Sequence, residues 1–295
     1  MPFVSILSPV LGAFLRLYIS GADDMACFYP VNAYKSRRLN ESGKRSIVFN
    51  IRDGFQDMAL QVPCGKCTGC KADRAMMWSI RAYHEASLHE RNSFLTLTYA
   101  ESPPTLIKKD LQDFFKRARH HYDFRYFACG EYGDTTRRPH YHALFFGEDF
   151  LGDSYEVSDT LYSNPHLESL WGHGLVSIAP VNMAVCCYVV GYVNKKIGDE
   201  DTFTLMSRRP GIGKDWLARY SDDIRRTGTV TIEGKELPVP LRYMAWHESE
   251  FQELKKARKR RFDALTPDQR YQRAVALPNK ELAAKAILKM RSKPL

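Results

Sequence analysis

Between Phe124 and Phe146 the chain reads "FRYFACGEY" and then "PHYHALFF", with only "GDTTRR" between them. Both runs are rich in aromatic and apolar residues at strand length, and two strands joined by so short a turn must pair antiparallel. Residues two apart on a strand project to one face. His140 and His142 therefore present their imidazoles side by side, while Tyr141 faces the other way. A histidine pair alone is more often an edge or core pair than a ligand pair. Glu131, on the neighbouring arm, changes the balance, because the hairpin carries its carboxylate towards the imidazoles. Two imidazoles and one carboxylate hold a divalent ion and leave coordination positions open for a substrate oxygen. Imidazole suits Mn²⁺, and cellular availability favours Mg²⁺.

The surrounding order of elements sets the fold class. "SIVFNIRDGFQDMALQV" reads as two short strands around a turn at Asp53 and Gly54, and the helical spacing of Met77, Ile80, Tyr83 and Leu88 follows. "SFLTLTY" alternates as a strand, and Thr105 to His120 forms an amphipathic helix with Leu111, Phe114 and Phe115 on its apolar side. "LVSIAP" is a further strand, and Asn182 caps a helix that runs to about Lys196. Strands broken by single helices predict an α+β domain with a central, mainly antiparallel sheet flanked by helices. "MSRRPGIGKDWL" lacks the spacing of a nucleotide-binding fingerprint and reads as a turn. The segment from Glu250, "EFQELKKARKRRFDAL", is a basic helix, either a solvated face or a DNA-contacting tail.

Charge narrows the partners. Lys and Arg number 43 against 34 Asp and Glu, a formal net charge of +9, which favours a polyanion such as nucleic acid. The apolar start, "MPFVSILSPVLGAFLRLYIS", has no basic beginning and is interrupted by Arg16, so it reads as an extension rather than a membrane span. Met25 opens a more ordinary beginning. Of seven cysteines, Cys64, Cys67 and Cys70 are spaced C-x2-C-x2-C. That spacing suits metal chelation in a reducing compartment, with Cys27 as fourth ligand and His84 as its substitute. The Cys-Pro continuation of a ferredoxin run is absent, which favours structural zinc over an iron–sulfur cluster. The alternative is a set of unligated buried thiols.

In "YVVGYVNKK", Tyr188 and Tyr192 are four apart and share a helix face, with Lys195 and Lys196 a turn further on. By themselves such tyrosines are core packing. Beside a metal, a tyrosine hydroxyl can attack a phosphodiester while a lysine neutralises charge.

Taken in order, "MACFYP", "VPCGKCTGC", "FLTLTY", "CGEYG", "RPHYHALFFG", "YVVGYVNKK" and "SRRPGIG" resemble the replication initiators of small single-stranded DNA phages, the Microviridae, in their gokushovirus branch. These are HUH endonucleases. The resemblance implies an HUH-like domain over 25–245, preceded by the extension 1–24 and followed by a basic helical tail, 246–295. It implies that His140, His142 and Glu131 hold Mg²⁺ or Mn²⁺, and that Thr96 and Thr98 line the DNA. Tyr188 and Tyr192 are then alternating nucleophiles with Lys195 or Lys196 in support. Arg137 and Arg138 in the hairpin turn and Arg208 and Arg209 in the basic loop are candidate DNA contacts. The implied activity is rolling-circle initiation: nicking the origin, forming a 5′-phosphotyrosine adduct and rejoining the product circle. The implied partners are single-stranded origin DNA and the host replicative helicase and polymerase, in the cytoplasm of the bacterial host and with no membrane. The competing readings are a zinc-stabilised regulator that binds DNA without cutting, and a relaxase or transposase of the same superfamily.

Overall fold

A computed structural model describes residues 27–133, 136–195, 202–264 and 266–290, which fall into two compact units. One comprises 74–260 and the other 27–73 with the described residues after 260. In chain order the elements are β1 (Val31–Leu39), β2 (Arg45–Val48), β3 (Gly54–Val62), α1 (Thr68–Ala86), β4 (Asn92–Thr98), α2 (Lys108–Ala118), β5 (Arg125–Tyr132), β6 (Pro139–Phe146), β7 (Tyr155–Ser158) and β8 (Leu161–Ser163). They continue with α3 (Pro165–Trp171), β9 (Val176–Ala179), α4 (Met183–Lys195), β10 (Phe203–Met206), α5 (Lys214–Thr227), β11 (Thr229–Ile232), β12 (Lys235–Pro238), α6 (Leu241–Trp246), α7 (Gln252–Asp263) and α8 (Pro267–Met290).

The larger unit is built on a seven-stranded sheet in the order β10-β5-β6-β4-β9-β8-β7, and every neighbouring pair is antiparallel. Alternation along its strands separates two apolar layers. Leu95, Leu97, Ala128, Tyr141, Ala143 and Phe145 point to one side, where they meet Phe114 and Phe115 of α2 and Leu167 and Trp171 of α3. Phe94, Phe127, Leu144 and Phe146 point to the other, against Ala75 and Ala82 of α1 and Val185, Val189 and Val190 of α4. Burial of each leucine, valine or phenylalanine among them stabilises by about 1.5–3 kcal/mol. A one-residue slip of β6 would exchange the two sets and forfeit several of these terms at once, which fixes the register.

Local signals hold the helices in place. Asn182 accepts the Val185 amide at 2.9 Å, so the cap expected from sequence is made. Asn164 caps α3 in the same way, accepting the amides of His166 and Leu167. A second packed region of this unit gathers Met76 and Ile80 of α1, Leu217 and Ile224 of α5, the β11–β12 hairpin and Tyr243 of α6.

Two regions add to what the sequence announced. The two strands expected around the turn at Asp53 and Gly54 are present as β2 and β3, and each pairs with β1, a strand the sequence did not announce, in a sheet of order β2-β1-β3. The basic glycine loop is bracketed by a strand and a helix, β10 and α5, that the sequence did not announce. Its glycines are structural: Gly213 donates its amide to Glu85 Oε2 at 2.6 Å, and the Ile212 carbonyl accepts from Arg81 Nε at 3.0 Å. Glu85, which also pairs with Arg125, is an anion of the protein itself occupying the amide donor a phosphate would need.

Candidate active site

β6 lies between β5 and β4, so each of its side chains has a cross-strand neighbour on both sides. His140 sits opposite Glu131 on β5 and Thr98 on β4, and His142 opposite Cys129 and Thr96. This register gathers Glu131, His140 and His142 on one face, while Tyr141 enters the opposite layer and reaches Tyr99 Oη at 2.7 Å. The ligand-capable atoms of the three residues all lie within 4.8 Å of one another.

Their tautomers follow from the outer partners. His140 Nδ1 stands 3.2 Å from the Arg138 carbonyl, which can only accept, so Nδ1 carries the proton. His142 Nδ1 is 3.0 Å from Thr96 Oγ1. Both Nε2 atoms face one oxygen, Glu131 Oε1, at 2.8 and 3.0 Å. Glu131 is buried, and its second oxygen, Oε2, is buried without a hydrogen-bond partner among the described residues. A carboxylate with an orphaned oxygen beside two imidazoles, each with its far nitrogen hydrogen-bonded, is a set of donors that could hold a divalent cation. Burial alone would raise the Glu131 carboxyl, but hydrogen bonds and charge from His140 and His142 outweigh it and hold the carboxyl below its ordinary range. Burial pushes the His142 imidazole down against the opposing pull of Glu131, which favours the neutral, metal-ligating form.

Tyr188 of α4 borders this group. Its ring lies 5.5 Å from that of His142 and 6.1 Å from Phe94, edge-on to both. Tyr192 and Lys195 fall on α4, but their side chains and all of Lys196 lie outside the described residues. Nor are residues 134–135 of the hairpin turn described.

The expected DNA-facing residues separate into two groups. Thr96 is spent on His142, an outer-shell role that the sequence offered only through cross-strand register. Thr98 donates to the Leu175 carbonyl at 3.3 Å. Arg138 donates to the Tyr99 and Ala100 carbonyls at 2.7 and 3.2 Å and so ties the hairpin to the end of β4. Arg137 is exposed with its guanidinium over the Tyr132 ring, and Arg208 and Arg209 are exposed as well.

In the smaller unit, the sulfurs of Cys27, Cys64, Cys67 and Cys70 also lie within 4.8 Å of one another. Burial works against ionisation of Cys64, yet amide hydrogen bonds from Lys66 and Cys67 bring its thiol down to about 7. Burial pushes the Cys27 and Cys70 thiols up. His84, the expected substitute ligand, is engaged in the larger unit: its ring stacks 3.5 Å from Trp216, and Nδ1 is 3.1 Å from Tyr243 Oη. Among the described residues no helix is long and apolar enough to cross a membrane.

Comparison with known proteins bears on the same stretch. The family model "Replication-associated protein ORF2/G2P" matches residues 92–197, which run from β4 through the end of α4 and contain both histidines, Glu131 and both tyrosines. The chain is 30% identical over 250 residues to replication-associated protein VP4 of Bdellovibrio phage phiMH2K, covering 76% of this chain and 78% of that one. It is 30% identical over 235 residues to replication-associated protein ORF4 of Chlamydia phage 1, covering 68% and 59% of the two chains. With replication-associated protein ORF2 of Spiroplasma virus 4 it shares 28% identity over 223 residues, 65% and 69% of the two. No solved structure matches the chain. Sequence order, the matched segment and the extent of these alignments agree that this chain belongs to the replication-associated proteins of phages, and its role is in replication of a phage genome.

Proposed function

We propose that the protein is a metal-dependent HUH-type nicking endonuclease that starts rolling-circle replication of the phage genome. The observation that carries this reading is the buried Glu131 facing two imidazoles with a tyrosine ring directly beside them. A purely DNA-binding regulator needs no such neighbour.

In this reading Glu131, His140 and His142 hold one Mg²⁺ or Mn²⁺, which supplies the positive charge that polarises the scissile phosphate. With a cation bound, the Arg138 carbonyl at His140 Nδ1 and Thr96 Oγ1 at His142 Nδ1 would favour the tautomer that turns each Nε2 lone pair inward. Tyr188 supplies the phenol oxygen that bonds to phosphorus as the P–O3′ bond breaks, and the phenolic proton is balanced by protonation of the departing 3′-oxygen. The product is a 5′-phosphotyrosine and a free 3′-hydroxyl, which host polymerase extends once host helicase opens the template. Tyr192 then cleaves the regenerated origin, and the released 3′-hydroxyl attacks the first phosphotyrosine to close the circle. Each exchange conserves one phosphodiester bond, so rejoining consumes no ATP. Lys195 and Lys196 offset phosphate charge next to the tyrosines. Exposed Arg137, Arg208 and Arg209 and the net charge of +9 supply backbone affinity for single-stranded origin DNA that falls with salt.

The test is incubation of the protein with tiled single-stranded oligonucleotides of the phage genome and Mn²⁺ or Mg²⁺. The expected result is a protein–DNA band that survives SDS and appears with one tile only. Sequence-specific binding with no adduct under either ion would replace the proposal by the regulator reading.

A further inference from the structure

We infer that Cys27, Cys64, Cys67 and Cys70 form a closed tetrathiolate site for one structural zinc ion, and that this ion holds residues 27–73 in their fold. The inference is independent of the nicking reading, since none of its residues belongs to the Glu131 centre.

Distance separates a single ion from a cluster. Zn–S bonds of about 2.3 Å in a tetrahedron place the sulfurs about 3.8 Å apart. Here Cys64 and Cys70 have sulfurs 4.0 Å apart, and all four sulfurs lie within 4.8 Å of one another. An iron–sulfur cluster interposes its own iron and sulfide atoms between the thiolates and needs a wider cage. All four cysteines are free thiols, so no disulfide accounts for the convergence.

The backbone is arranged for anionic sulfur. Cys64 donates its amide to Cys27 Sγ at 3.2 Å, Phe28 to Cys67 Sγ at 3.3 Å, Cys67 to Cys64 Sγ at 3.4 Å and Cys70 to Cys67 Sγ at 3.5 Å. Amide donors aimed at sulfur stabilise thiolates and orient metal ligands. The Cys64–Cys67–Cys70 run turns directly into the first residues of α1, with Gly65 at φ +75° making the turn, a conformation a side chain would resist.

The module's own apolar interior is small, and its described tie to α8 is polar, Tyr29 Oη donating to Glu281 Oε2 at 2.6 Å. Among the described residues 27–73, the buried apolar side chains are Cys27, Ala33, Cys67 and Cys70, whereas Val31, Leu39, Ile47, Phe49, Ile51 and Met58 are exposed. A three-stranded sheet with so small an apolar interior needs a covalent or metal staple.

The experiment uses the full chain purified under reducing conditions, in a His140→Ala/His142→Ala background so that the other centre holds no metal. Elemental analysis should find one zinc per chain and no sulfide. Replacing zinc by Co²⁺ should give the visible absorption of a tetrahedral thiolate complex, lost on Cys67→Ser and kept, shifted, on Cys67→His. In the wild-type chain, which requires no folded variant, a chelator should expose four additional thiols to a labelling reagent and open residues 27–73 to protease. Iron with sulfide, sub-stoichiometric zinc that added zinc cannot raise, or zinc content indifferent to Cys67→Ser would each overturn the inference.

Discussion

The ring of Tyr188 meets that of His142 edge-on, with centroids 5.5 Å apart and planes at 67°. A helix residue and a strand residue 46 positions apart in the chain thus share one small polar site, and their contact separates packing from chemistry. Tyr188→Phe keeps the ring and its contacts with His142 and Phe94 and removes only the hydroxyl. Thermal stability should change little, while covalent adduct formation falls by at least about a hundredfold if Tyr188 attacks first. Tyr192→Phe, assayed for joining as well as cleavage, reports the second half of the cycle. Full cleavage and joining in the Tyr188 variant would make that residue packing only.

Thr96→Val separates support of the metal from contact with DNA. Valine keeps the size and β-branching but leaves His142 Nδ1 without its acceptor, so affinity for Mn²⁺ should weaken by about 10–100-fold. Titration calorimetry without DNA measures this directly. A variant with normal Mn²⁺ affinity and weakened oligonucleotide binding would return Thr96 to the DNA-lining role.

Gly213→Ala should cost about 2 kcal/mol or more in urea denaturation. Gly213 has φ +76°, and an added Cβ would lie 2.3 Å from Tyr243 Oη and 3.1 Å from the Arg81 carbonyl. Adding Tyr243→Phe removes the nearer atom, so the pair should be less destabilised than the two single changes predict together. Additive losses would mean that backbone strain alone sets the cost.

His84 gives the larger unit a pH signature. Burial pushes its imidazole down to about 3, from about 6.5 in the unfolded chain. The folded value is the depressed one, so the unfolded chain takes up the proton first. The stability from keeping His84 neutral is fully present above about pH 6.5 and is lost as pH falls towards 3, at about 1.4 kcal/mol per unit. Denaturation at pH 6.5, 5.5 and 5.0 should show this slope, and His84→Phe should flatten it by that amount. An unchanged slope in the variant would assign the pH dependence elsewhere.

The ligand hairpin was legible because both its strands are long enough to show alternation and its turn is too short for any other pairing. From that pairing Glu131 falls opposite His140. The start of α4 was legible because Asn182 is a cap with a local mechanism. What the sequence did not give were features fixed by remote partners. β10 has four residues, too few to carry a period, and is a strand because β5 leaves an edge for it. β7 is exposed throughout and, among the described residues, pairs with β8 alone. The fate of the glycine loop was set by Glu85, 128 residues earlier in the chain than Gly213. The outer-shell role of Thr96 required knowing that β4, rather than another strand, lies against β6.

The hairpin also bears on the order of assembly. Glu131 and His140 are nine residues apart, whereas Tyr188 enters the site from a helix 46 residues beyond His142. Loop closure over nine residues is entropically cheaper than over 46 and forms sooner. The Glu131 and His140 arms of the hairpin can therefore meet before α4 brings Tyr188 against His142, so the proposed cation site and the proposed nucleophile come together as separate steps.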